Sequence, residues 1–173
     1  MGKPNQDLKE ILKFLEPRED YVIWAGFAVY AHLGIEHSPD VDIYVTDQAA
    51  KKAISTESQK RGWQKLPHKE VIFDWDKLEK NGTSFDVAYS RPASQLFFSD
   101  VAEIEVYGHN LRFLSKEWLF LTKLGQLTWD DRKLEKRKRD IATIQKLRKS
   151  INPKKVAQLA TKVPMSYWKS GDI

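Results

Sequence analysis

Two aspartates stand one residue apart in a stretch that alternates like a β-strand. Val41, Ile43 and Val45 occupy every second position, which is the period of a strand. Side chains two residues apart on a strand point to the same face, so Asp40 and Asp42 lie about 6–7 Å apart at the backbone. Carboxylates placed in this way can share a divalent cation. A surface strand with two solvated acids gives the same pattern, so both interpretations stay open.

A strand and a helix that follow one another precede this stretch. The chain opens with an amphipathic helix between Asn5, a suitable cap, and Pro17, which ends it. A short apolar strand over Tyr21–Trp24 then runs into Gly26 and a helix over Phe27–Leu33. A glycine at such a turn lets backbone N–H groups approach an anion. A tight turn that needs glycine for its conformation is the alternative interpretation.

Two β-hairpins are predicted in the middle of the chain. The first joins strands Val71–Trp75 and Ser84–Ala88 through a loop that contains Asn81-Gly82, a strong turn signal. Because five mostly charged residues precede this signal, we expect a loop longer than a tight hairpin. The second hairpin joins strands over residues 101–107 and 111–114. Asp86 lies inside the first hairpin, where an acid needs a partner, a metal or an exposed face.

The last third of the chain is predicted to be helical. Ser115 caps one helix, and Thr128, followed by Asp130 and Asp131, starts another. The buried side of that second helix is predicted from its apolar residues, which are Leu134, Ile141, Ile144, Leu147 and Ile151. The whole pattern predicts an α+β fold, with a mixed β-sheet core over residues 1–114 and a C-terminal helical region over residues 115–173 packed on it.

Positive charge is concentrated in one segment. Arg132–Lys155 contains eleven Lys or Arg and two Asp or Glu, whereas the whole chain has a net charge of +5. Such a block can attract phosphates or nucleic acid, or it is a solvated helix face. The chain has no cysteine, which excludes disulfides and thiolate metal sites. It also has no apolar run of about 20 residues. We therefore expect a cytoplasmic protein that does not contact a membrane.

The sequence resembles the nucleotidyltransferase superfamily, which has the DNA-polymerase-beta-like fold. The resemblance lies in the order of three features: a glycine turn, an Asp-x-Asp strand and a later aspartate. The pattern of that superfamily reads here as Trp24-Ala25-Gly26, thirteen further residues, Asp40-Val41-Asp42-Ile43 and later Asp86. The run WAGFAVYAHLGIEHSPDVDIYV is similar to small prokaryotic members, including antibiotic nucleotidyltransferases and toxin-type enzymes of abortive-infection systems. The segments EWLFLTKLGQL and KRDIATIQKL resemble the helical part of that group.

The resemblance implies transfer of a nucleoside monophosphate from an NTP such as ATP to an acceptor, with Mg²⁺ or Mn²⁺ as cofactor and pyrophosphate as product. By position, Asp40 and Asp42 bind the metal and orient the triphosphate, while Asp86 completes the metal site and helps to activate the acceptor hydroxyl. The implied nucleotide-binding residues are Ala25, Gly26, Phe27, Ser38 and Lys123. The acceptor is a small molecule, RNA or protein, and the partners include RNA or a toxin–antitoxin partner.

Two positions depart from the pattern of the superfamily. Ala25 replaces the first glycine, and His37 replaces an arginine that close relatives often carry. The alternative function is therefore a catalytically weakened domain that binds nucleic acid or a protein through the basic helix over residues 132–155. Asp74 and Asp76 repeat the Asp-x-Asp spacing and are an alternative source of the third carboxylate, although no glycine turn precedes them at the matching distance.

Overall fold

The structure, a computed structural model, describes residues 4–35, 40–67, 74–129 and 132–163. The described residues form seven helices and one mixed sheet of seven strands, which confirms the α+β class. The helices are α1 Gln6–Leu15, α2 Ala25–Leu33, α3 Gln48–Lys60, α4 Arg91–Phe97, α5 Lys116–Gln126, α6 Leu134–Leu147 and α7 Pro153–Ala160. The strands are β1 Tyr21–Trp24, β2 Val41–Val45, β3 Gln64–Lys65, β4 Asp74–Lys80, β5 Thr83–Tyr89, β6 Val101–Val106 and β7 His109–Leu114.

The sheet brings the strands that carry the predicted site residues together at its centre. Its order is β3-β4-β5-β2-β1-β7-β6. β2 pairs in parallel with β5 and antiparallel with β1. Ile23, Ile43 and Val87 are partners across these three strands, and all three are fully buried. Because side chains alternate along a strand, Asp42 and its neighbours across the sheet project from the opposite face.

The chain divides into two compact units, Met1–Phe113 and Leu114–Ile173. In the second unit, α5 packs against both α6 and α7. Its apolar core includes Leu119, Leu147 and Leu159, each 4% exposed or less. Within the ranges that the structure describes, no helix is both long enough and apolar enough to cross a bilayer.

The first hairpin is tighter than predicted. β4 continues to Lys80 and β5 begins at Thr83, so the turn consists of Asn81 and Gly82 alone. Both turn residues have positive φ, 48° and 79°, as a type I′ turn requires. The prediction of a longer loop is wrong, because the charged residues before Asn81 form part of β4. Residues 71–73 of the predicted strand lie outside the described residues.

The basic helix begins later than predicted. α6 starts at Leu134, and Lys133 rather than Thr128 is the residue before it. The hydroxyl of Thr128 donates to the carbonyl of Gly125, at the end of α5, at 2.7 Å. Arg137 donates from its guanidinium to the main-chain carbonyls of Leu127, Trp129 and Arg132. These hydrogen bonds tie α6 to Leu127, Trp129 and Arg132, which lie outside the helices. Asp130 and Asp131 lie outside the described residues.

The buried face of α6 also differs from the prediction. Leu134 and Ile141, which were expected in the core, are 67% and 45% exposed. Leu147 is buried as expected, and Ile144 and Ile151 are half-buried. The inward position is taken by Asp140, which is 3% exposed. The apolar periodicity was misleading because an ion pair of Asp140, described below, sets the orientation of the helix.

Candidate active site at the β1–α2 junction

β1 passes into α2 without an intervening loop. Trp24 ends the strand and is also the residue before the helix, and no side chain in the described ranges caps the first turn. The backbone N–H groups of that turn are therefore not bound by a capping side chain of a described residue. An uncapped helix N-terminus favours an anion such as a phosphate. Gly26 lies in this turn, where the sequence predicted phosphate binding.

The backbone at Ala25 is strained. Its φ is 55°, in the left-handed region that glycine adopts easily and alanine does not. Ala25 is also the residue that stands where the nucleotidyltransferase pattern has its first glycine. The structure thus gives a physical reason for glycine at this position, because the turn from β1 into α2 needs a positive φ.

We expect Ala25→Gly to raise the free energy of unfolding by about 1 kcal/mol. Left-handed strain in a residue other than glycine costs about 1–3 kcal/mol, and the greater chain entropy of glycine takes back roughly 0.5–1 kcal/mol. Urea denaturation measures the difference. The control is Ala53→Gly, at an exposed position inside α3, which should lower stability by about 1 kcal/mol. Destabilisation by both substitutions would contradict the assignment of strain to Ala25.

Asp42 and Asp86 are direct neighbours in the sheet. They are register partners in the parallel pair of β2 and β5. Register partners project from the same face, and adjacent strands are about 4.8 Å apart. Trp24 is the partner of Asp42 on its other side, so the start of α2 lies next to this pair of carboxylates. The hydroxyl of Ser84, on the same strand as Asp86, donates to Asp86 Oδ1 at 3.2 Å.

Asp40 immediately precedes β2 and is half-buried. Within the described ranges, no three Asp, Glu or His side chains form a group that could hold a metal ion. The pair of Asp42 and Asp86 nevertheless supplies the one or two carboxylates that Mg²⁺ usually takes from a protein when substrate phosphates complete its shell. The donor set therefore fits Mg²⁺ or Mn²⁺, with these two residues as ligands. A role of Asp40 as a third ligand stays a prediction.

The remaining predicted residues are in different settings. Phe27 is fully buried, and the centroid of its ring lies 6.0 Å from that of Tyr30 and 5.9 Å from that of Phe113. Only its main chain is therefore suited to contact a nucleotide. Lys123 lies on α5 in the second unit, and its ammonium donates to Asp140 at 3.0 Å. Its role in triphosphate binding stays a prediction. Ser38 and His37 lie outside the described residues.

Asp74 and Asp76 lie on the opposite face of the sheet from Asp86. Asp76 is the register partner of Val87, one residue away from Asp86 on the same strand. Its carboxylate pairs with Lys65 at 2.6 Å and with Lys51 at 3.2 Å, and Asp74 also pairs with Lys51. The structure therefore favours Asp86 over Asp74 and Asp76 as the carboxylate that lies on the same face as Asp42.

These ion pairs change the acidity of both carboxyl groups. Burial by itself raises the pKa of Asp76, but hydrogen bonds from Lys65, Ser55 and Lys51 outweigh burial, and the pKa falls below its usual value of 3.8. For Asp74, burial likewise acts to raise the pKa, and bonds from Lys51 and Gln48 reverse the effect. A carboxylate with a lowered folded-state pKa contributes stability above its unfolded pKa, and this contribution is lost as the pH falls through the folded pKa.

We therefore expect the free energy of unfolding to decline with acid below about pH 4, in part through these two groups. Asp76→Asn should make that decline shallower, because the substituted residue no longer takes up a proton on unfolding. Urea denaturation between pH 7 and pH 2.5 checks this expectation. The control is Glu103→Gln, at an exposed position of β6, which should leave the slope unchanged. An identical slope for wild type and Asp76→Asn would refute the prediction.

Lys77 is a candidate site residue that the sequence analysis did not identify. It is the register partner of Asp86 on β4, so Lys77, Asp86, Asp42 and Trp24 form one row across four adjacent strands. Its ammonium makes no hydrogen bond or ion pair with any residue of the described ranges. The pairing of Lys77 with Asp86 could have been predicted from the sequence, because a two-residue turn at Asn81-Gly82 fixes which residues of the hairpin lie opposite each other.

An aromatic cluster borders this row. The ring centroid of Trp24 lies 5.1 Å from that of Tyr44 and 6.4 Å from that of Trp75. Because two strands separate β1 from β4, the two indole rings must lean towards each other across the face. Ala88, the partner of both Tyr44 and Trp75, leaves the space for them. Trp24 Nε1 is buried and has no hydrogen-bond partner among the described residues.

The chain has the nucleotidyltransferase fold. It is similar to ANT(2'')-Ia, an antibiotic-resistance factor solved in complex with adenylyl-2''-tobramycin, with a TM-score of 0.64 over 91% of this chain and 97% of that one, at 15% identity. It is also similar to an antigenic nucleotidyltransferase-like protein from Paracoccidioides brasiliensis, with a TM-score of 0.57 over 98% and 91% of the two chains, at 19% identity. No family model and no curated protein matches the sequence.

Proposed function

We propose that this protein transfers a nucleoside monophosphate from an NTP to an acceptor hydroxyl in the presence of Mg²⁺ or Mn²⁺. The observation that carries the proposal is the register of Asp42 and Asp86, which places two carboxylates on one face beside the uncapped start of α2. Pairs of carboxylates next to an anion-binding helix end suit phosphoryl chemistry, where positioning and charge stabilisation supply most of the catalysis.

The reaction is an in-line displacement at phosphorus. The acceptor oxygen attacks the α-phosphorus of the NTP and forms a new P–O bond, while the bond to the bridging oxygen breaks and pyrophosphate leaves. Asp86 takes the proton of the acceptor hydroxyl and passes it to water. Asp42 and Asp40, which lies two residues before it, orient the triphosphate. Mg²⁺ held by these carboxylates would supply positive charge to the phosphates.

The start of α2 holds the phosphates that leave. Its first-turn N–H groups, including that of Gly26, point out of an uncapped helix end that favours negative charge. Ser38 and Lys123 are proposed as further phosphate contacts by position in the sequence. The acceptor is a small molecule, RNA or protein, and the surroundings of Asp86 are the place that selects it.

The test uses the full chain with α-labelled NTPs, Mg²⁺ and a panel of acceptors. The panel contains tobramycin, short RNA, tRNA and the protein itself, and calorimetry measures the binding of Mg-NTP separately. We expect binding of Mg-NTP and transfer of label to one class of acceptor, both abolished by EDTA. Absence of Mg-NTP binding, together with absence of label transfer, would overturn the proposed function.

The exposed basic side chains of α6 support a second candidate function, nucleic-acid binding by a weakened enzyme. Asp140 is buried, so the only exposed acid on this helix within the described residues is Glu135. The exposed basic residues in and around the helix are Lys133, Lys136, Lys138, Arg139, Lys146, Arg148 and Lys149. Such a surface attracts phosphates in a salt-dependent manner.

Fluorescence anisotropy with a labelled single-stranded RNA at 50 mM and 200 mM salt tests the second candidate. The double substitution Lys136→Glu and Arg139→Glu should weaken binding at least tenfold, because each reversal removes an attractive charge and adds a repulsive one. The matched control is Lys9→Glu with Lys13→Glu, two exposed positions of α1. Equal loss in both variants, or no binding at 50 mM salt, would eliminate α6 as the binding surface.

A further inference from the structure

We infer that Lys77 binds an anionic group of the acceptor, and that the acceptor of this site is a hydroxyl compound that carries a phosphate. The inference rests on the proposed function and names the substrate class for the same site. It depends on three properties of Lys77: its place in the row across the sheet, its lack of an ion pair, and the identity of its neighbours.

The two ends of the row across the sheet differ, because only one of them lies next to the start of α2. From β1 to β4 it runs Trp24, Asp42, Asp86, Lys77, and α2 begins directly after Trp24. The pyrophosphate that leaves is held at the α2 end in the proposed reaction. In an in-line displacement the attacking and leaving oxygens lie on opposite sides of the phosphorus. The acceptor therefore enters from the β4 end, and Lys77 is the residue of the row at that end.

The charge of Lys77 is not used by the fold. On the opposite face of the same sheet, Lys51 and Lys65 are both engaged with Asp76. Lys77 makes no such bond to a residue of the described ranges, although it is the register partner of an aspartate. As a residue Lys77 is half-buried, but its ammonium is not shielded from solvent and has no protein partner in the described ranges. A ligand anion would supply that partner.

The neighbours of Lys77 restrict the chemistry of that ligand. Trp75 lies two residues away on the same face, and its ring meets that of Trp24. The row that ends at Lys77 is thus bordered by an aromatic surface, which consists of Trp75, Tyr44 and Trp24. A polycationic acceptor would bring like charges against Lys77, which is unfavourable. A sugar or nucleoside that carries a phosphate satisfies both features, since its ring can pack on the indole and its anion can bind the ammonium.

Calorimetric titrations of the full chain test the inference without turnover. The protein is first saturated with Mg²⁺ and an ATP analogue that has a methylene group between the α- and β-phosphorus. Ribose 5-phosphate is then compared with ribose, and an RNA oligonucleotide with a free 3′-hydroxyl is added as the phosphodiester arm. Tobramycin serves as the polycationic arm. The variants are Lys77→Gln, Lys77→Arg and the control Glu79→Gln, an exposed acid on the same face of β4.

We expect a phosphorylated probe to bind wild type about tenfold more tightly than ribose, the size of one charge-assisted hydrogen bond. Lys77→Gln should remove this preference, whereas Lys77→Arg and Glu79→Gln should retain it. Mg-NTP should bind Lys77→Gln and wild type equally. The inference is overturned if neither phosphorylated probe is preferred, or if Lys77→Gln weakens Mg-NTP binding tenfold, which would make Lys77 a triphosphate ligand. Failure of wild type to bind Mg-NTP at all would instead refute the proposed function.

Discussion

Asp42→Asn and Asp86→Asn are each expected to lower the rate of nucleotidyl transfer by about 10²–10⁴-fold, the range for loss of a general base or of a comparable charged group. The reason is the position of the two carboxylates, which are register partners on one face beside the start of α2. Asparagine has nearly the same shape as aspartate, but it neither accepts a proton at neutral pH nor carries the negative charge that is proposed to bind Mg²⁺.

The two substitutions should differ in what they impair. Asp42→Asn should weaken the binding of Mg-NTP, because Asp42 lies next to the start of α2, which is proposed to bind the phosphates. Asp86→Asn should leave Mg-NTP binding closer to wild type and lower mainly kcat, because its proposed task is to take a proton from the acceptor. Label transfer under saturating NTP, with calorimetry of Mg-NTP binding, separates these effects.

Asp74→Asn is the matched control for both substitutions. It makes the same chemical change on the neighbouring strand β4, but on the opposite face of the sheet. Transfer by Asp74→Asn should stay within about twofold of wild type, and circular dichroism should show that all three variants are folded. If Asp74→Asn were as inactive as Asp86→Asn, the assignment of the active face would be wrong.

Asp140→Ala should lower the free energy of unfolding by about 3–5 kcal/mol, the range for removing one partner of a buried ion pair. Asp140 accepts hydrogen bonds from Lys123 at 3.0 Å and from Arg132 at 2.5 Å. Its side chain is 4% exposed, and those of its two partners are 9% and 13% exposed. Alanine would remove the carboxylate that both cations share, although Gln126 also accepts a hydrogen bond from each of them.

Urea denaturation measures this effect, and Trp129 is a local reporter because the guanidinium of Arg132 lies 5.6 Å from the centroid of its ring. The control is Lys138→Ala on the exposed side of α6, which should change stability by about 0.5 kcal/mol or less. Adding Lys123→Met to Asp140→Ala should recover part of the loss, since one uncompensated charge disappears. A loss below 1 kcal/mol for Asp140→Ala would show that the ion pair does not hold α5 and α6 together.

Local signals predicted the part of the site that lies close together in the sequence. The bounds of β1 and β2 follow from short apolar runs, and the helix after Trp24 follows from its periodicity. The side-by-side placement of Asp42 and Asp86 could not be derived in this way. It depends on parallel pairing between β2 and β5, which is a contact between strands more than 40 residues apart, and periodicity carries no information on such pairing. The expectation that Asp42 and Asp86 belong to one site came from the resemblance to the nucleotidyltransferase superfamily.

Other elements escaped prediction because tertiary contacts determine them. α4 is seven residues long and has no clear apolar stripe. It is held by the hydroxyl of Ser94, which donates to the carbonyl of Val45 at 2.7 Å, and by Phe97, whose ring meets that of Tyr44 at 4.9 Å. The outward position of Leu134 and Ile141 has the same kind of cause, since Asp140 turns the other side of α6 inward.

The two-residue turn at Asn81-Gly82 fixes the register between β4 and β5, and therefore fixes which side chains of β4 lie on each face of the sheet. Inserting one residue there would bring Leu78 opposite Asp86 and would exchange the faces of β4. Lys77 would then point into the core, Leu78 would lose its fully buried position, and Asp76 would leave Lys51 for the face that carries Asp42 and Asp86. The length of one short turn thus decides which charges lie on the face of the proposed active site and which stabilise the fold.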